Sequence, residues 1–279
     1  MGRSASLVRA AAVAAALIGL CGCSGDPSRI EPTPAPTTIE PLIDPQRGQI
    51  LLPLDQFITD EQQDKTLNLA QQLVVRDCLD AAGTVVPVVD VRNTAVFQSR
   101  RYGLWTSEQA ELGYGLPAPT RADRDYDAYL KDIEKINKTD TYKQCVAAPD
   151  YTKFTLQFTE SQVVAADTYH TFMDSSQARQ VISEWEACLR AGGVDPNPDQ
   201  NNLWSPVGST GGPLATRKRV AETDVACKGR TNLVSRMSAL EATAEQPTVA
   251  RYWVNLQQQR ERIDSTMADA GALIAQHGY

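Results

Sequence analysis

Residues 59–83 read TDEQQDKTLNLAQQLVVRDCLDAAG, and residues 175–193 read SSQARQVISEWEACLRAGG. In the first stretch Thr59 or Asp60 can cap a helix, with Glu61 in its first turn. Leu67, Ala70, Val74 and Cys78 recur at helical spacing, and Gly83 stands where a left-handed C-terminal cap belongs. In the second stretch Val181, Trp185, Cys188 and Leu189 keep the same period up to Gly192-Gly193. The two ends share one pattern, C-L-x-A-small-G, at Cys78–Gly83 and Cys188–Gly193. Each is followed by an irregular stretch and then by another cysteine, Cys145 or Cys227. A duplicated unit explains this; the plainer account is that two amphipathic helices end alike.

Working outward, helices are expected over Asp125–Asn137, Thr159–Asp174, Leu214–Lys228 and Thr231–Thr243. Pro247 should break the pattern before a last helix over Thr248–Gln276. Strand signals are few. Val85–Val91 (VVPVVDV) is demoted to an edge by Pro87, and Phe154–Phe158 (FTLQF) is short. Long loops are expected at 84–122 and 194–212. The fold class is mainly α: a disulfide-braced helical body with two related halves, at 50–158 and 159–279, the second carrying the C-terminal helices.

The amino terminus reads as an address. Arg3 and Arg9 precede Ala10–Leu20, an unbroken small and apolar run. Eleven helical residues span about 16 Å, half of a bilayer core, so 1–22 is expected to be a signal peptide and not a permanent span. Leu20-Cys21-Gly22-Cys23 resembles the lipobox of bacterial lipoproteins, with Leu20 at −3, Gly22 at −1 and Cys23 receiving the lipid. That resemblance implies a diacylglyceryl group and often an N-acyl chain, enough for stable anchoring. Met1-Gly2 with Ser6 matches a myristoylation pattern, which leaves the apolar run and the cysteine unexplained. Residues 23–49 then form a lipidated, Pro-rich linker without aromatics, holding six of the sixteen prolines. Such a stretch favours a polyproline II stalk reaching roughly 80 Å.

Composition narrows the function. The 279 residues are 42% hydrophobic and 22% charged, with net charge -7. Cleavage before Cys23 removes two arginines and no acid, leaving 25 basic against 34 acidic side chains, or -9. Nucleic acid is therefore not an expected partner. Two histidines, His170 and His277, exclude an imidazole cluster. Cys78, Cys145, Cys188 and Cys227 are an even set in an exported chain and read as two disulfides with three possible connectivities. Duplicated halves would select Cys78–Cys145 and Cys188–Cys227. A zinc site lacks close cysteine spacing, and a redox pair lacks C-x-x-C, so no metal or other cofactor is expected.

Several constellations resemble chemistry. Asp123, Asp125, Asp127 and Glu134 have EF-hand spacing, but Ala128 replaces the turn glycine and helical period runs through the segment, so an acidic first helical turn is expected. Gly208–Gly212 lacks the lysine of a phosphate loop. Arg217-Lys218-Arg219 reads as a solvated face. Arg100-Arg101-Tyr102-Gly103-Leu104-Trp105 joins guanidiniums to aromatics, and Arg101, Tyr102 and Trp105 are candidate contacts for a glycan or anionic polymer. Glu184 and Glu186 are two apart and do not face one another on a helix. His170, beside Tyr169, has no serine or acid partner in pattern. No catalytic residue is assigned.

Trp185-x-x-Cys188-Leu189-x-x-x-Gly193, then Ala221-x-x-Asp224-x-x-Cys227-Lys228, and earlier Arg101-Tyr102-Gly103 with Gly113-Tyr114-Gly115, resemble a group of secreted actinobacterial lipoproteins of unknown function. The resemblance covers about 60–279. It implies location and disulfides but no activity. This chain departs from it at Pro247, where the similar sequences continue one long helix. The expected function is a non-enzymatic protein on the outer face of the cell membrane, anchored through Cys23, whose body binds another envelope protein or a glycan. The alternatives are a solute-binding component of a transporter, or a wall hydrolase in which Glu184, Asp195 or Asp224 converge in a groove.

Overall fold

Folded structure begins before Ile50, inside the Pro-rich stretch. The computed structural model describes residues 38–95, 101–156, 168–199 and 203–279. The signal segment, Cys23, the linker up to Thr37, and the first part of the Thr159–Asp174 helix lie outside the described residues. Strands β1 (Leu42–Asp44) and β2 (Gln49–Leu51) pair antiparallel, Ile43 opposite Ile50. Asp44 closes the turn by accepting from the backbone N–H of Gln46 and of Arg47 at 3.0 and 3.1 Å. Ile50 and Leu52 enter the main core.

Helix α1 (Glu61–Ala81) starts from a reciprocal capping box. Asp60 accepts from the Gln63 N–H at 2.8 Å, and the Gln63 side chain accepts from the Asp60 N–H. The loop after it contains a 3-10 turn at Val91–Asn93 and the short α2 (Ser107–Glu111), capped by Thr106 and Gln109. Then come α3 (Arg121–Ile136), α4 (Asp140–Ala147) and α5 (Pro149–Thr152). After a helical stretch at 168–173, α6 (Ser176–Ala191) begins on the Ser175 hydroxyl. Helices α7 (Leu214–Arg230) and α8 (Leu233–Gln276) complete the chain. Among the described residues no helix is long and apolar enough to cross a membrane.

The matching ends of α1 and α6 have the same backbone geometry. Thr84 N–H donates to the Leu79 carbonyl and Gly83 N–H to that of Asp80; Val194 N–H donates to Leu189 and Gly193 N–H to Arg190, all at 2.9–3.0 Å. Both are Schellman caps, and Gly83 and Gly193 hold the left-handed position at φ +82° and +71°. From the last turn of each helix a disulfide reaches a later one. Cys78 bonds to Cys145 in α4, and Cys188 bonds to Cys227 in α7, with Cα atoms 5.8 and 5.6 Å apart. This is the pairing that duplicated halves select.

Helix α8 corrects the expected break at Pro247. It runs unbroken for 44 residues with Pro247 inside, about 66 Å at helical rise. A mid-helix proline removes one backbone hydrogen bond and costs about 3 kcal/mol. Packing on both sides offsets that cost. Leu233, Met237 and Ala242 join Val181, Trp185 and Leu189 of α6. Val249 and Leu256 pack on Leu54 and Phe57 of a 3-10 turn (Leu54–Phe57). Ala270 and Ile274 pack on Leu67, Ala70 and Leu73 of α1. The opposite face of α1 presents Val75 and Leu79 to Tyr129, Ile133 and Cys145.

Neither expected strand forms among the described residues. Val85–Val91 lies extended over α1, its Val89 N–H donating to the Gln72 side chain at 2.9 Å instead of to a partner strand. Phe154 closes a turn on Tyr151, and Gln157 and Phe158 lie outside the described residues. The two stretches 50–158 and 159–279 interleave. Ile50, Leu52 and Tyr102 from the first lie in one core with α6, α7 and α8, and Leu104 and Ala110 pack on Ala221 of α7. The described residues, from Thr38 to Tyr279, belong to one compact unit.

Candidate functional site

Residues 101–104 join two polar centres, one part-buried and one sealed from solvent, and Arg101, Tyr102 and Asp224 of the sequence-nominated residues lie at them. At the first centre, Arg101 pairs with Asp55 at 2.9 Å and with Glu241 at 3.1 Å. The Tyr102 hydroxyl donates to Glu241 at 2.5 Å, and Tyr102 is fully buried. One turn further along α8, Glu245 accepts the Leu54 N–H at 2.9 Å. Burial pushes the Glu245 carboxyl up to about 7 and raises that of Glu241 as well. Burial also opposes the charge on Arg101, but Asp55 and Glu241 outweigh it and hold the guanidinium above its ordinary value.

At the second centre, Asp224 and Lys228 of α7 form an ion pair at 2.7 Å, with side chains only 0% and 1% exposed. Asp224 also accepts from the Trp185 indole at 2.8 Å and from the Tyr114 hydroxyl. Lys228 donates to the Leu104 carbonyl at 2.8 Å and sits 5.4 Å from the Trp185 ring centroid. Burial lowers the Lys228 ammonium, against the pull of Asp224. Two glycines make the approach possible. A Cβ on Gly103, at φ +75°, would stand 2.5 Å from the Trp204 carbonyl and 2.8 Å from the Lys228 ammonium; one on Gly113 would stand 2.9 Å from the Lys218 N.

Arg101 and Tyr102, nominated as ligand contacts, are thus directed at Glu241. Trp105 packs half-buried on the main core, its N–H held by the Gln109 side chain at 2.8 Å. Arg100 lies outside the described residues. Glu184 binds Arg236 at the surface while Asp224 is sealed inside, so the two do not share a groove. The Asp123, Asp125 and Asp127 stretch is continuous helix in α3. Asp123 accepts from the backbone N–H of Thr120 and of Ala95, and Asp125 pairs with Arg121. Among the described residues no group of three or more His, Cys, Asp or Glu is placed to hold a metal ion.

Asp55, Glu241 and Glu245 were not singled out by sequence reasoning, and Lys228 entered it only as the last residue of a motif and of an expected helix. The usable signal was helical period: Met237, Glu241 and Glu245 follow one stripe of α8 inward. Surface hollows lie away from both centres. A groove of about 530 Å³ runs between the ends of α1 and α8 and the α4–α5 turn. A wider depression of about 740 Å³ separates residues 87–93 from α3. No family model, curated protein or solved structure matches the chain.

Proposed function

We propose that the chain is an exported lipoprotein, held to the outer face of the cell membrane through Cys23, whose helical body binds another envelope component and carries out no reaction. The observation that supports it most is that Cys78, Cys145, Cys188 and Cys227 are all paired in disulfides, bonds that persist in oxidising compartments. The lipobox at Leu20–Cys23 supplies the means of attachment, and the Pro-rich stretch after it supplies distance. Tyr102, Asp224 and Lys228 are engaged with partners in the interior, and part-buried Arg101 with Asp55 and Glu241, which favours scaffolding over catalysis for these residues. Trp185, Trp204 and Tyr102 pack on one another, with ring centroids 5.5 and 5.6 Å apart, and do not wall a solute cleft.

Mass spectrometry of protein from its native host tests the reading. A chain beginning at an acylated Cys23 with no free thiol is expected, and Cys23→Ala should move the protein out of the membrane fraction. An unmodified start at Met1, or a Cys23→Ala variant that stays in membranes, defeats it.

A further inference from the structure

We infer that the groove between the ends of α1 and α8 is a docking site for a lysine- or arginine-bearing segment of a protein partner; this deepens the binding role proposed above by giving it a place and a chemistry. Its floor is apolar, built from Val74, Ala148, Phe154 and Leu273 beside the Cys78–Cys145 bridge. Its rim carries Asp77, Asp150 and Asp269 against one cation, Lys153. Helices α1, α4 and α8 also bring their C-terminal turns to it, through Cys78, Cys145 and Gln276, and helix C-termini carry partial negative charge.

The chain already shows how the groove holds an ammonium. Lys153 lies 2.8 Å from Asp269 and 5.8 Å from the centroid of the Phe154 ring, and half of its side chain is exposed. Asp77 is paired with Arg76 and His277. Asp150 is exposed and has no ion-pair partner among the described residues, so it is the carboxylate left for an incoming cation. A partner side chain with an apolar stem and a charged tip would lay the stem on Phe154 and Leu273 and the tip on Asp150.

The test is calorimetric titration of the full chain with three short blocked peptides: one of leucine and lysine, its Nε-acetylated copy, and a leucine–glutamate copy. The lysine peptide should bind, more weakly as salt rises, and the other two should not. Asp150→Lys should weaken binding about tenfold. Lys153→Ala, which removes the internal competitor, should tighten it about threefold. Both positions are at the surface, and circular dichroism checks that each variant is folded. No binding of the lysine peptide, equal binding of its acetylated copy, or an affinity unchanged in either variant overturns the inference. An unmodified Met1 start would defeat the lipoprotein reading while leaving this titration unaffected.

Discussion

Glu245 is the residue whose chemistry is most at odds with its surroundings. The residue is 2% exposed, its carboxyl feels the repulsion of Asp55 and Glu241, and the Arg101 guanidinium that pairs with those two offsets it only in part. Burial raises the carboxyl from 4.5 to about 7. The folded chain therefore holds this proton more tightly than the unfolded chain. The stabilisation is fully present below pH 4.5 and is lost as pH rises through about 7, up to about 3 kcal/mol. Glu241 shifts in the same direction, whereas Asp90, Asp123, Glu184 and Asp264 are held low and act only in more acid solution. Urea denaturation should thus show greater stability at pH 5 than at pH 8, and Glu245→Gln should flatten that dependence while keeping an acceptor for the Leu54 N–H. The sequence nominated Arg101, Tyr102, Trp185 and Asp224 as a pattern. It could not say that they point inward, because that depends on Gly103 and Gly113 letting a loop close onto α7 from more than a hundred residues away.

At the scale of elements, legibility followed how local the determinants were. The ends of α1 and α6 were readable to within about a residue, since Asp60, Ser175, Gly83 and Gly193 act on their own turn of helix. The start of α3 was read four residues late because its capping box, Thr120 with Asp123, lies before the periodic part. The β1–β2 hairpin was missed because strands of three residues are too short to alternate visibly. Pro247 was misread for the opposite reason: its propensity is local, but the contacts overriding it come from the hairpin, the 3-10 turn, α1 and α6. Replacing it should expose what it costs. Pro247→Ala restores the missing donor and is expected to raise unfolding free energy by about 1–3 kcal/mol, measured in urea. A loss of stability would mean that the proline positions Gln246, whose side chain donates to the Ile39 carbonyl at 3.0 Å.

For the whole molecule, the question is whether the two disulfide-closed regions behave as one. Each closes a loop with a disulfide, of 67 and 39 residues, contributing about 4 kcal/mol in the chain-entropy model. Helix α8 crosses both cores, so neither unit should melt alone. Cys78→Ala with Cys145→Ala should lower stability by about that amount, while calorimetry still records a single transition. Two separable transitions would mean that α8 does not couple them. The placement of Ile39 has a mechanical corollary. The chain enters the folded body beside Gln246, where Ile39, Tyr252 and Trp253 pack against the same cluster of Leu54, Phe57, Val249 and Leu256, near the midpoint of α8 and upstream of both disulfide loops. Under the proposed anchoring through Cys23, tension from the membrane would reach the folded body first at the hairpin and the middle of that helix, ahead in sequence of both disulfide loops.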